Sequence, residues 1–101
     1  MKHFLLEGQH LAPFAEMQHL VEDHHAFLDR GYEDGVFLFS GPHVPPEGGF
    51  LAARAESLEA LSAYLAEEPF VKAGVMRFSR VTEFDPIQHQ GFLKGWFKGE
   101  R

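Results

Sequence analysis

Histidine and carboxylate side chains are the groups in this sequence that could carry out chemistry. The chain contains seven histidines and no cysteine, so thiolate nucleophiles, disulfides and cysteine-ligated metal sites are excluded. Imidazole titrates near neutral pH without perturbation, which makes a histidine the first candidate for a general acid or base. Any chemistry of this protein should therefore depend on imidazole and carboxylate groups.

Two stretches match the Glu-x-x-His spacing of di-iron helical bundles, ending at His19 and His25. Both lie on one predicted helix, whereas such a site needs carboxylates from other helices, so we expect no metal site. The glycines follow neither GxGxxG nor the P-loop pattern, and we expect no cofactor. Ser40 is not in a Gly-x-Ser-x-Gly elbow, so no nucleophilic triad is indicated.

Helical geometry separates His24 from the other histidines. Apolar residues from Phe14 to Tyr32 recur at spacings of three, four and seven, which predicts a long amphipathic helix whose end is bracketed by Gly31 and Gly35. On this helix His24 lies close to the centre of the apolar face, whereas His19 lies on the opposite side. Two interpretations of His24 remain: a core histidine bound to backbone groups, or a general acid or base.

Adjacent carboxylates at Glu67 and Glu68 provide the second candidate. They follow a second predicted helix, which starts after the N-cap Ser57 and is limited by Pro69. There they would face the negative end of the helix dipole, which disfavours their ionised forms and favours a proton-binding carboxylate. The alternative is a pair of solvated glutamates at a frayed helix end.

Four predicted strands position these two helices: His3–Glu7, Val36–Phe39, Phe50–Ala55 and Val75–Phe84. The order βαββαβ predicts an α+β, ferredoxin-like fold, in which a four-stranded antiparallel sheet carries both helices on one face. We find no repeat or linker. The chain is therefore expected to form a single domain over residues 1–101, with a core from about 3 to 84 and a C-terminal arm from about 85 to 101.

Charge and hydropathy exclude several classes of protein. With 15 acidic and 9 basic residues, the net charge of −6 repels phosphates, so we expect no nucleic-acid or membrane partner. No apolar run exceeds four residues, whereas a bilayer span needs roughly 20. Residues 1–7 lack a hydrophobic region adequate for a secretory signal. A soluble cytoplasmic protein is expected.

Apolar residues exceed what one small core should hide. The chain has eleven phenylalanines, and Val36–Phe39 is apolar on both faces, as in strands covered on both sides. Because the helices cover one sheet face, a second copy packed sheet to sheet would cover the other, giving a homodimer. The segment Gly91–Phe97 adds three aromatic residues. It is either an arm that clasps the partner or a tail folded back on its own subunit.

Three motifs in order resemble the YciI-like (YCII-related) family. His24 precedes a Gly-Pro that ends the second strand, and a Phe-rich third strand leads into the helix start Ala55–Ala60. The family's Asp-Pro-(Tyr/Phe) segment then appears as Glu68-Pro69-Phe70. Together these motifs span about residues 3–84.

The resemblance implies a dimeric α+β barrel of ferredoxin-like fold, with a pocket between helices and sheet. It implies that His24 transfers protons and that Glu68, in place of the family's usual aspartate, orients it or stabilises its protonated form. The residues implied to line the site are Ser40, Gly41, Pro42 and Phe70. One branch of the family is associated with dehydrochlorination of a chlorinated hydroxyhydroquinone, an elimination that a His–carboxylate pair suits.

The leading prediction is a small homodimeric enzyme that performs cofactor-free isomerisation or elimination on a small, partly aromatic molecule. The alternative is a non-catalytic small-ligand-binding or accessory domain in which His24 is structural. A ferredoxin-like RNA-binding module is a third interpretation. The acidic charge opposes it, and no strand shows the aromatic-with-basic pattern needed for base stacking and phosphate contact.

Overall fold

The computed structural model describes residues 1–100 and contains one antiparallel sheet of four strands. The sheet has the order β2–β3–β1–β4, so the first and third strands are central. Its strands are β1 (Lys2–His10), β2 (Phe37–Pro42), β3 (Gly48–Ala55) and β4 (Met76–Phe84). This order and the antiparallel pairing confirm the predicted ferredoxin-like α+β fold.

Helical segments lie in three stretches of the chain, within residues 14–33, 58–72 and 91–97. They are α1 (Phe14–Met17), α2 (Val21–Glu33), α3 (Leu58–Leu65), α4 (Pro69–Lys72) and α5 (Lys94–Phe97), with 3-10 turns at Gln18–Leu20 and Gly91–Leu93. The long first helix predicted from the sequence is thus divided by a 3-10 turn. The second predicted helix begins as expected, because the Ser57 hydroxyl accepts a hydrogen bond from the Ala60 amide at 3.0 Å. Within residues 1–100, no helix is both long and apolar enough to cross a membrane.

The main core lies between one face of the sheet and the helices α2 and α3. In β1 the side chains of Phe4 and Leu6 are almost fully buried, whereas Leu5 between them is 44% exposed. Phe27 of α2 and Leu61 of α3 pack against the buried residues of this face. The alternation along β1 therefore separates a helix-covered face from an open face.

Gly31 allows α2 to approach β2 closely. A Cβ atom at this position would lie 2.1 Å from Cδ2 of Phe37, whose ring is buried in the core. Gly31 and Gly35 were expected to bracket the end of the helix, and α2 does end between them, at Glu33. Gly35 follows with a φ of 71°, a conformation that favours glycine and ends the helix.

The C-terminal segment packs on the open face of its own sheet. The ring of Phe97 meets that of His3 edge-on, with centroids 5.1 Å apart. The guanidinium of Arg54 lies 3.6 Å from the ring centroid of Trp96 and donates to the carbonyl oxygens of Trp96 and Glu100, both at 2.7 Å. These contacts are all made within one chain. The alternative, a tail folded back on its own subunit, describes this segment.

His3 lies beneath this tail in a largely dry environment. The residue is 6% exposed, and its Nε2 atom has no hydrogen-bond partner within residues 1–100. Burial lowers the pKa of His3 below its ordinary value of 6.5, although a backbone interaction with Phe97 partly opposes the shift. The folded protein therefore binds a proton here less readily than the unfolded chain does.

Replacing Gly31 by alanine should destabilise the protein. In an ordinary helix interior this change stabilises by about 0.5–1 kcal/mol. Here the methyl group must displace the Phe37 ring, and overpacking of a core costs about 1–3 kcal/mol. We expect a lower free energy of unfolding in urea. Gly91→Ala is the control, because a Cβ there meets no atom within 4 Å; a Gly31→Ala protein as stable as the wild type would contradict the close packing.

The free energy of unfolding should decrease below about pH 6.5 because of His3. As the pH falls, the unfolded chain takes up the proton before the folded protein does, so stability is full above the ordinary pKa and declines below it. The loss levels off once the pH passes the lowered pKa of the folded state. His3→Gln should remove this component in urea titrations at several pH values. An equal pH slope in His3→Gln and in the exposed-site variant His19→Gln would refute this explanation.

Candidate functional site

A cavity of about 670 Å³ lies between the sheet and the helices α2 and α4. Its volume is within the roughly 300–1,000 Å³ of small-molecule sites. The wall includes the six residues singled out from the sequence: His24, Ser40, Gly41, Pro42, Glu68 and Phe70. The structure therefore brings all six around one space, although they come from α2, β2 and the start of α4.

A direct contact joins the histidine to the carboxylate. Nδ1 of His24 and Oε1 of Glu68 are 2.6 Å apart, the distance of a strong, charge-assisted hydrogen bond. The Glu68 side chain is only 2% exposed, whereas that of His24 is 21% exposed. The second carboxylate oxygen, Oε2, accepts a hydrogen bond from the Val71 amide at 3.0 Å. Both oxygens of Glu68 are thus engaged within the protein.

This contact determines which ring nitrogen can meet a ligand. When Glu68 is ionised it can only accept hydrogen bonds, and Nδ1 of His24 then donates to it. A neutral ring then carries its lone pair on Nε2, at the edge directed away from the carboxylate. The arrangement allows Nε2 to accept a proton from a molecule in the cavity, while Glu68 stabilises the resulting imidazolium.

Glu68 obtains its position from the start of α4. It is the N-cap residue of this helix, with extended backbone, and Pro69 occupies the first turn. The expectation that Glu68 faces the negative end of a helix is wrong, because α3 ends at Leu65 and a new helix starts after Glu68. At the N-terminus of α4 the amide groups favour a negative charge.

The two adjacent glutamates differ completely in environment. The whole residue Glu68 is 1% exposed, which excludes a solvated role for it. The side chain of Glu67 is 69% exposed, and it pairs with Lys72 at 3.1 Å, so the solvated alternative describes this residue alone. At the start of α4, the carboxylate of Glu68 therefore lies on the cavity wall, whereas that of Glu67 lies in water.

Phe70 fixes the plane of the imidazole ring. Its ring is stacked on that of His24, with centroids 4.1 Å apart and planes inclined by 15°. Phe70 is buried in a second, smaller core cluster with Met17 and Met76. The hydrogen bond to Glu68 sets the rotation of the His24 ring, and the stack sets its tilt. The short helix α4 thus supplies both contacts that orient the histidine.

Several features of the site were not predicted from the sequence. The hydroxyl oxygens of Tyr32 and Ser40 are 2.5 Å apart. Tyr32, which belongs to α2, therefore holds the hydroxyl group of Ser40 on β2 in place. His25, next to the catalytic candidate, also lines the cavity, as does Phe78 of β4. Phe78 pairs with Gly8 of β1. The alternation of side chains along β4, together with this pairing, would have placed Phe78 on the helix-covered face of the sheet. Within residues 1–100, no group of three histidine or acidic side chains could hold a metal ion.

The fold and the site define an α+β protein with a part-buried histidine–carboxylate contact at the wall of a cavity. The sequence model of the YCII-related domain matches residues 1–85, and the chain belongs to this family. The resemblance to YciI-like proteins is thereby confirmed. No curated protein matches the sequence.

A solved structure supports the assignment of the fold. The chain is similar to 5-chloro-2-hydroxyhydroquinone dehydrochlorinase from Burkholderia phenoliruptrix AC1100, solved in complex with 2,5-dihydroxybenzoquinone. The TM-score is 0.63 at 19% sequence identity, over 83% of this chain and 91% of the dehydrochlorinase chain. The two proteins therefore share their architecture.

Removing the Glu68 carboxylate should destabilise the protein far more than removing that of Glu67. Glu68→Ala loses a charge-assisted hydrogen bond and a helix cap, worth roughly 1.5–3 and about 1 kcal/mol respectively. We expect a loss of about 2.5–4 kcal/mol in urea unfolding. Glu67→Ala removes only an exposed ion pair, worth less than about 1 kcal/mol. Equal losses in the two variants would be incompatible with the described contacts.

Proposed function

We propose that this protein is a small-molecule enzyme that performs cofactor-free proton transfer, in an isomerisation or an elimination, with His24 and Glu68. The observation that carries the proposal is the 2.6 Å contact between the His24 ring and a buried carboxylate on the wall of a cavity of about 670 Å³. Membership of the YCII-related family and similarity in fold to a dehydrochlorinase support a small-molecule enzyme.

In the proposed reaction, Nε2 of His24 removes a proton from an acidic C–H or O–H group of the substrate. The buried Glu68 carboxylate stabilises the imidazolium that forms. In an isomerisation, the same proton returns to another atom of the substrate. In an elimination, the electron pair of the broken C–H bond forms a double bond, a leaving group departs with its bonding pair, and the imidazolium releases its proton.

The other four predicted residues complete the proposed site. Ser40, Gly41 and Pro42 form the end of β2 and line the same cavity as His24 and Phe70. We propose that they contact the substrate, with the Ser40 hydroxyl as a polar group held in place by Tyr32. Holding the substrate in one orientation is what makes proton transfer at Nε2 efficient.

A non-catalytic ligand-binding or accessory domain is the second candidate. It is favoured by the fact that the same contacts also join α2 to α4: Glu68 caps α4 while it binds His24. In that case the pair would be structural, and the cavity would hold a ligand without changing it. The two candidates differ in whether a bound molecule exchanges protons.

His24→Gln should abolish proton transfer. The measurement is loss of C–H signals from candidate substrates in D₂O by ¹H NMR, using enolisable cyclic ketones. The wild-type protein should accelerate exchange, and His24→Gln should slow it by about 10²-fold or more. Glu68→Gln should also slow exchange, because the amide cannot stabilise an imidazolium by its charge.

The control for this experiment is His19→Gln, since His19 is exposed and does not line the cavity. It should exchange protons at the wild-type rate. If His24→Gln retained that rate with a substrate that the wild type turns over, His24 would not be the base. The protein would then be better described as a binding domain.

We also propose that the protein forms a homodimer through the open face of the sheet. On this face, Leu5 and Phe39 both pair with Ala52 and are 44% and 54% exposed, which leaves apolar surface beside the C-terminal segment.

We also propose a cytoplasmic location, because a chain without cysteine has no disulfide that would require an oxidising compartment.

Light scattering should give a mass twice that of the 11.5 kDa chain. Phe39→Glu should reduce the mass towards that of a monomer, because a charge would be buried against the partner's apolar surface. Val44→Glu, at a loop residue that is 95% exposed, is the control and should leave the mass unchanged. A stable wild-type mass of 11.5 kDa would rule out the dimer.

A further inference from the structure

The cavity offers no fixed positive charge to a bound molecule. Among the described residues that line it, none is lysine, arginine or aspartate. The one carboxylate, Glu68, already has both oxygens engaged by His24 and Val71. The remaining polar side chains are a serine and three histidines: Ser40, His10, His24 and His25. An anionic group that entered would lose its hydration without meeting a fixed cation, which is unfavourable.

The rest of the wall is apolar and suited to flat rings. It includes the aromatic side chains of Phe14, Phe27, Phe70 and Phe78, together with the flexible thioethers of Met17 and Met76. The volume of about 670 Å³ is several times larger than a cavity of ~150 Å³ that holds one benzene molecule. The space therefore suits a molecule larger than one six-membered ring.

A glycine on β1 creates part of this space. Phe4 and Leu6 fill the helix-covered face with large side chains, but the next residue on that face is Gly8. Its direct partner on β3 is Gly49, so two neighbouring strands lack side chains at the same place. A Cβ at Gly8 would meet Sδ of Met76 at 3.2 Å and would take up part of the cavity.

We propose that the site takes a neutral, ring-bearing molecule larger than a single six-membered ring, and that the missing side chain at Gly8 sets the size that fits. The inference rests on the proposed function, because it takes Nε2 of His24 as the group that meets the acidic hydrogen. It also explains how the site can dispense with a fixed cation. A negative charge develops on the substrate only as His24 becomes positive, so the counter-ion forms together with the anion.

Two fluorescent probes with the same ring skeleton test the charge requirement. N-phenyl-1-naphthylamine is neutral, and 8-anilino-1-naphthalenesulfonate carries one negative charge. Titrations at about pH 8 keep the contribution of protonated imidazole small. The neutral probe should bind at least roughly tenfold more tightly, because its entry desolvates no charge. Equal affinities, tighter binding of the sulfonate, or no binding of either probe would overturn the proposal.

Variants at Gly8 and Phe14 test the position and the size limit. Gly8→Val should weaken binding of the neutral probe by roughly tenfold or more, because its side chain enters the cavity. Gly91→Val is the matched control outside the cavity and should bind as the wild type does. Phe14→Lys, at a residue that is 59% exposed, should increase affinity for the sulfonate by supplying the missing cation. Unchanged probe binding in Gly8→Val or in Phe14→Lys would contradict the proposal.

The readouts for ligand class and for catalysis are independent, since probe binding involves no proton transfer. A preference for the neutral probe, with no deuterium exchange in any candidate substrate, would support the ligand class while the enzyme proposal fails. Exchange that depends on His24, combined with a preference for the sulfonate, would support the enzyme and overturn the ligand class.

Discussion

The carboxylate of Glu68 is the group on which the rest of the site depends. A buried carboxylate is stable only when hydrogen bonds replace its lost hydration. Here one oxygen is bound by the His24 ring and the other by the amide of Val71. The same side chain therefore starts α4, attaches it to α2 and orients the imidazole. Because α4 also carries Phe70, the plane of the ring depends on this helix as well.

The cavity exists because the two core clusters are of unequal size. Between the sheet and the helices α2 and α3, eight buried residues, mostly phenylalanine and leucine, form the larger cluster. Further along β1, Gly8 faces Gly49, and the smaller cluster around Met17 and Phe70 lies to one side. Tight packing at one end of the sheet holds the elements in place, so the other end can remain open without collapse.

The pattern of apolar residues predicted the four strands, the two main helices and the inward direction of His24 because these depend on short-range periodicity. It did not predict α4, since four residues are too few to show a helical period. Pro69 was therefore interpreted as the limit of one helix, although proline is equally suited to the first turn of the next. As a result, Glu68 was placed at the negative C-terminal end of a helix, whereas it lies at the positive N-terminal end of α4.

Contacts between distant residues account for the other differences. Arg54 is a charged residue in a strand, and nothing in its neighbourhood indicates that it is 3% exposed. Arg54 is buried by Trp96, which lies 42 positions further along the chain. No pattern in the sequence links these two residues. Aromatic residues in the tail indicated that it packs on something, but their types could not show whether that surface belongs to the same chain.

The position of the C-terminal segment has a consequence for how this protein can change during evolution. Residues beyond 85 lie outside the matched family domain, and Trp96 and Phe97 rest on the sheet face opposite the helices. The sheet stands between them and the His24–Glu68 pair. A change in this tail would therefore act first on Arg54 and His3, while the contacts of His24 and Glu68 lie on the other side of the sheet.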